Sequence, residues 1–154
     1  MFREMRRKDR EIDETEVIEI LENGEYGILA TLSENGYPVA LPLSYIYFDN
    51  YIYFHSATEG EKLDNIEKNS NVSFCVVLDT EVLPDKFSTR FKSVVAYGHA
   101  SEVNGDMKDK VLYKLIEKYS KDFLEQGKIY IEKAKDRTKV VGIEIVKVTG
   151  KARR

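Results

Sequence analysis

The chain has 154 residues, the length of one domain, and a formal net charge of −3, so we expect residues 1–154 to form a single unit with its own core. Cys75 is the only cysteine, which excludes a disulfide within the chain, and two histidines with one cysteine are too few for a transition-metal site. No apolar run approaches the roughly 20 residues that span a bilayer, and the first residues lack the apolar core of a secretory signal. We therefore predict a cytoplasmic protein with no membrane partner.

Both ends of the chain are basic. The charges are Arg3, Arg6, Arg7, Lys8 and Arg10 in the N-terminal segment 1–12, and Lys151, Arg153 and Arg154 in the C-terminal tail 150–154. Two interpretations remain open: the ends are solvated tails, or one of them approaches an anion such as a phosphate. Binding of nucleic acid is disfavoured, because the chain between the tails is acidic and has no recognised motif.

The first elements in chain order are a helix and three strands. Asp13 and Glu16 have capping-box spacing, and Gly24 is suited to end the helix that follows. Strands are predicted over residues 26–32, 37–48 and 51–56, with tight turns at Asn35-Gly36 and Asp49-Asn50. Three consecutive strands joined in this way predict an antiparallel meander.

The second half of the chain adds three strands and two helices. The strands are predicted over residues 72–78, 93–103 and 139–148, and the helices over 61–69 and 108–123. Residues 79–91 are interpreted as a long connection, because Pro84, Asp85 and Ser88 interrupt any period. Few helices around six strands predict a mainly β fold, a six-stranded antiparallel β-barrel with peripheral helices, since closure removes exposed sheet edges.

The second strand carries two prolines four residues apart, Pro38 and Pro42. Proline has no N–H to donate to a neighbouring strand, so one side of this strand cannot support an ordinary sheet ladder. The strand is either a plain sheet edge or an opening where a planar ligand meets its free backbone groups.

Polar side chains cluster where the third strand passes into a helix. His55, Ser56, Thr58 and Lys62 lie within eight residues. Hydroxyls, a lysine and free N–H groups at a helix start are what a phosphate requires. The alternatives are helix-capping hydroxyls, a solvated lysine and a structural histidine. His99, on the fifth strand, is interpreted as structural or surface-exposed.

The order of these motifs resembles a known family. The carriers are Gly36-Tyr37-Pro38, Pro42-Leu43-Ser44-Tyr45, the run 52–57 (Ile-Tyr-Phe-His-Ser-Ala), and Gly60-x-Lys62-Leu63-Asp64-Asn65-Ile66-x-x-Asn69. Together they resemble the pyridoxamine 5′-phosphate oxidase-like split barrels that bind flavin mononucleotide (FMN), and look closest to the branch named for nitroimidazole resistance. The resemblance covers essentially the whole chain and is most specific over residues 52–69.

The resemblance implies a homodimer with FMN at the subunit interface and assigns roles to matching residues. His55 and Ser56 match a Tyr-Thr pair beside the ribityl phosphate, Lys62 matches a phosphate-binding lysine, and Ser93 takes the place of a glutamine that reaches the flavin from the second subunit. The strand that lines the flavin ring corresponds to Val39, Ala40, Leu41, Pro42 and Leu43.

Departures from the oxidase pattern bear on the activity. Val39 and Ala40 stand where the oxidase motif begins with arginine, and the chain lacks the oxidase's C-terminal tryptophan. We therefore expect no true pyridoxine-phosphate oxidation. The resemblance implies a flavin-dependent reductase of a small molecule, with nitroaromatic compounds as the candidate substrates, and His55 is the catalytic candidate. The alternatives are a non-catalytic flavin carrier or redox sensor and a haem-binding split barrel.

Overall fold

The structure, a computed structural model, describes residues 2–154. They form a mainly β fold around one antiparallel sheet, as predicted, but the sheet has seven strands and not six. The strands are β1 (Gly27–Leu32), β2 (Pro38–Leu43), β3 (Ile46–Phe48), β4 (Tyr51–Ser56), β5 (Asn71–Leu83), β6 (Ser88–Val103) and β7 (Lys139–Arg153). The helices are α1 (Glu14–Asn23), α2 (Glu61–Lys68), α3 (Gly105–Tyr119) and α4 (Leu124–Ala134).

The additional strand arises because the predicted strand 37–48 is divided. Its first half, β2, pairs with β1, and its second half, β3, pairs with β4. The order across the sheet is β2-β1-β5-β6-β7-β4-β3, so the two halves lie at opposite edges. The predicted meander is therefore wrong. Only Ser44 and Tyr45 connect the two edges, and so short a connection requires the sheet to curl on itself into a barrel that is open along one line.

Residues 79–91 are not a loop. β5 and β6 continue through them as a long hairpin, with a register shift between Leu78 and Glu81 and a turn at Pro84–Lys86. The turn residues occupy only the tip, where Phe87 has φ = 51°. Strand β7 likewise runs to Arg153, so the C-terminal tail belongs to the sheet and is not a solvated extension.

Two hydrophobic clusters hold the fold together. The larger fills the barrel, where the inward side chains of the strands pack against α1, and it includes Ile66 of α2. At the start of α1 the predicted cap is confirmed, since the Glu16 N–H donates to Asp13 Oδ1 at 2.9 Å. In the smaller cluster, the side chains of Tyr53 and Val140 on the outer face of the sheet pack against α3. Among residues 2–154, no helix is both long and apolar enough to cross a membrane.

Candidate functional site: the split between the sheet edges

The barrel is open between β2 and the end of β4. Strand β2 pairs with β1 alone, and β3 covers β4 only through Tyr53. Within the described residues, the outer edges of β2 and of Phe54–Ser56 therefore have no partner strand. The β3–β4 register pairs Ile46 with Tyr53, and continuing it by three residues would set Leu43 opposite Ser56. We call the gap between these two edges the split.

Strand β2 forms one side of the split. Its register with β1 turns Val39, Leu41 and Leu43 toward the barrel interior, where they are half-buried, and leaves Ala40 and Pro42 exposed on the outside. The sheet order confirms the predicted edge strand. Because neither proline has an N–H, the outer edge of β2 offers mainly carbonyl acceptors to whatever enters the split.

The end of β4 forms the other side. Its outer face carries His55, Tyr51 and Tyr53, and the two tyrosine rings stack with centroids 5.4 Å apart. The imidazole lines a crevice of about 80 Å³ beneath α3 and α4. Burial, and then the positive charge of Lys62, lower the pKa of His55, so its neutral form is favoured. Ser56 points inward, is buried, and donates from Oγ to the Ala57 carbonyl at 2.7 Å.

The segment after β4 closes one end of the split. Thr58 is exposed, Gly60 has φ = +150°, and no side chain caps the start of α2, so the first N–H groups of this helix lack a side-chain acceptor. Lys62 is half-buried in the first turn. One turn later, the buried Asn65 donates from Nδ2 to Thr31 Oγ1 at 3.1 Å. Thr31 is the β1 partner of Val39, and this bond therefore fixes α2 beside the start of β2.

The predicted cofactor residues thus fall into two groups. The split brings together β2, the end of β4 and the start of α2, and with them every predicted residue except Ser93. Ser93 is buried on the outer face of β6, opposite Val77 and Lys151, away from the split of its own chain. A role for Ser93 at a flavin therefore requires a second subunit.

Two features at the site were not predicted. At the apex of the split, where Ser44 and Tyr45 connect β2 to β3, helix α3 contacts the backbone. Tyr45 donates its N–H to Tyr119 Oη at 3.0 Å, and its carbonyl accepts from Lys118 Nζ at 2.9 Å. Burial lowers the pKa of Lys118 to about 8. On the outer face of the sheet, a cavity of about 480 Å³ is bordered by Pro38, His99 and Tyr97, and Phe2 packs on Tyr97 with ring centroids 4.9 Å apart. Neither feature has a local sequence signal, because each joins residues far apart in the chain.

The fold and the split define a split-barrel protein. The family model of pyridoxamine 5′-phosphate oxidase matches residues 13–152, which is nearly the whole chain. The chain belongs to this family. A comparison with curated proteins finds no match.

Solved structures share this fold. A candidate 5-nitroimidazole antibiotic resistance protein from Bacteroides thetaiotaomicron is 23% identical with a TM-score of 0.79, covering 92% of this chain and 86% of that one. A FAD-binding protein from Mesorhizobium loti is 24% identical with a TM-score of 0.67, covering 94% and 98%. A FAD- and haem-binding protein from Mycobacterium smegmatis is 16% identical with a TM-score of 0.80, covering 92% and 72%. At these identities the likeness concerns the fold.

Proposed function

We propose that this protein binds FMN in the split and is a flavin-dependent reductase. The observation that carries the proposal is the pair of adjoining unpaired sheet edges, with a lysine and an uncapped helix start at one end. A planar ring can lie along an edge that lacks a partner strand, while a phosphate needs the donors gathered at the helix start. The residues present fit both halves of a flavin nucleotide.

Each residue has a distinct task in this proposal. Lys62, the Thr58 hydroxyl and the first N–H groups of α2 bind the phosphate, and Ser56 supports the loop through its bond to Ala57. The edge Val39–Leu43 lies against the ring, and its carbonyls accept hydrogen bonds. Bound flavin would supply the electron-transfer chemistry, for which these side chains provide position and electrostatics.

His55 is proposed as the polar group beside the cofactor or substrate. Its lowered pKa favours neutral imidazole, which donates one N–H while its other nitrogen accepts. An anionic phosphate nearby would counter the effect of Lys62 and favour protonation, so that cofactor binding itself prepares a proton donor. The reducible substrate is proposed to be a nitroaromatic compound, on the likeness to the Bacteroides protein.

The complete site is proposed to form in a cytoplasmic homodimer of single-domain subunits, with Ser93 reaching the flavin of the other subunit. Support comes from the apolar side chains exposed on the outer sheet face beside Ser93 and around the large cavity, among them Leu32, Val77 and Val146. Such a face is unusual on a surface that stays in water.

An absorption spectrum of the purified protein, supplied with FMN, tests the proposal. We expect a yellow protein with flavin bands and one FMN per chain. A Soret band in place of flavin bands would establish the haem-binding alternative. That alternative is retained because the FAD- and haem-binding protein from Mycobacterium smegmatis shares this fold. His55→Ala should retain FMN while nitroaromatic turnover falls about 10²–10⁴-fold, the usual contribution of acid–base assistance. A yellow protein without turnover under any electron donor would instead be a flavin carrier.

A further inference from the structure

Another pocket lies at the C-terminal end of β7. It has a volume of about 400 Å³ and is lined by Asp79, Arg90, Phe91, Lys92, Arg153 and Arg154. We call it the basic pocket. Four of its six side chains are cations, although the protein as a whole is acidic.

The sheet assembles this pocket from distant parts of the chain. β7 pairs with β6 as far as Arg153, which lies opposite Phe91, while β6 continues into the hairpin arm. The basic tail is thereby held beside the cations of β6. Strand pairing thus fixes the position of Arg153, which is the condition for a binding site and not for a solvated tail.

The charges in the basic pocket are unequally matched. Arg90 pairs with Glu81, Lys92 lies 3.7 Å from Asp79, and Arg154 lies 2.5 Å from Glu16. In the part of the chain that the structure describes, Arg153 forms no ion pair, and its buried Nε has no hydrogen-bond partner. A buried donor without an acceptor is costly, and a guanidinium presents paired donors that match the oxygens of a phosphate.

We propose that the basic pocket binds the phosphate groups of a nucleotide, with Arg153 as the principal ligand. Arg90 and Lys92 would add charge, and the ring of Phe91 offers an apolar wall to a base. The volume is in the range of small-ligand sites. Ser93 follows Lys92 directly on β6, so the inference deepens the proposed function: a flavin of the second subunit that contacts Ser93 would lie next to this pocket.

Two sources share this chemistry. One is the adenylate half of FAD, if the flavin extends beyond FMN. The other is a nicotinamide dinucleotide that brings electrons to the flavin. Both carry a pyrophosphate, so inorganic pyrophosphate is a probe for either.

The first experiment is a calorimetric titration of the whole protein with pyrophosphate. We expect one site per chain, at least tenfold weaker binding in Arg153→Gln, and unchanged binding in Lys133→Gln, which removes the same charge from an exposed position on α4. Arg90→Gln, at an exposed position, should also weaken binding, and it keeps the test valid if Arg153→Gln unfolds. Equal affinity in the wild type and in both pocket variants would overturn the proposal.

The second experiment separates the sources. If FAD binds more tightly than FMN and Arg153→Gln abolishes the difference, the pocket holds the adenylate half of the flavin. If FAD and FMN bind equally and Arg153→Gln raises KM for the nicotinamide dinucleotide at unchanged kcat, the pocket holds the electron donor. If neither quantity depends on Arg153, the nucleotide assignment is wrong. A colourless protein that binds pyrophosphate through Arg153 would keep the pocket and refute the proposed function.

Discussion

Lys62 acts on His55 before any ligand arrives, because burial and then the ammonium of Lys62 lower the pKa of the imidazole. The two side chains come from different elements, the first turn of α2 and the end of β4. Their proximity supports a shared task at the end of the split where the phosphate is proposed to bind, and it gives His55 a measurable signature without cofactor.

Lys62→Ala should weaken FMN binding by about 1.5–3 kcal/mol, the contribution of a hydrogen bond to a charged group. Riboflavin, which has no phosphate, should bind the wild type and the variant almost equally, as measured by fluorescence quenching. Lys68→Ala removes a lysine from the other end of the same helix and should leave both affinities unchanged. An equal loss for riboflavin would show that Lys62 maintains the fold and does not bind the phosphate.

His55 should make the folded protein less stable in acid. Its pKa is lowered in the folded state, so between pH 7 and pH 5 the unfolded chain takes up a proton that the folded chain resists, and the free energy of unfolding falls as pH falls. Urea unfolding at the two pH values should show a smaller fall in His55→Gln than in the wild type. His99→Gln, which removes the other imidazole, is the control and should keep the wild-type fall. An unchanged fall in His55→Gln would show that a lowered pKa of this side chain is not the cause of the acid sensitivity.

At the scale of elements, the apex of the split depends on α3. The Tyr119 hydroxyl accepts from the Tyr45 N–H and donates to the Glu25 carbonyl at 2.6 Å. Tyr119→Phe leaves these backbone groups without that partner and should cost about 1–2 kcal/mol in urea unfolding. Tyr113→Phe, on the same helix, is the control, since its hydroxyl has no hydrogen bond among residues 2–154. Equal stability of the two variants would show that the Tyr119 hydroxyl does not stabilise the apex.

Features with a local cause could be predicted from sequence. Asp13 caps α1 through a side chain three residues from its donor, and Pro38 and Pro42 mark an edge strand because proline lacks an N–H. The division of the strand 37–48 could not be predicted, because its alternation continues through Ser44. The interruption comes from Lys118 and Tyr119, more than seventy residues away.

Helix α4 was missed for a related reason. Ile129 and Tyr130 are exposed on it, so its apolar side chains do not form the single buried stripe by which a surface helix is recognised.

For the site, sequence could indicate the residues of the split but not the basic pocket. The cations of the tail and of β6 meet only through strand pairing at the end of the sheet.

At the scale of the molecule, we expect a dimer at micromolar concentration that buries over about 2,000 Å², as obligate interfaces do. Val77→Arg introduces a charge on the outer sheet face, where Val77 is 50% exposed and lies opposite Ser93. Light scattering should show a monomer that has lost FMN. Ile129→Arg introduces the same charge on an exposed apolar position of α4 and should remain a yellow dimer. A monomeric wild type that binds FMN tightly would refute the shared site.

The sheet order also dictates when the barrel can close during synthesis. β4 pairs along its whole length with the start of β7, and β1 pairs with β5, so in both pairs other strands intervene in the sequence. The β5–β6 and β6–β7 pairs, in contrast, join strands that are consecutive in the sequence. The β4 edge of the split can therefore not reach its place in the sheet until β7 has left the ribosome, whereas the β2 edge needs only β5. Strand β4 must therefore stay out of other pairings while residues 57–138 are synthesised, which makes it the strand most exposed to misassembly.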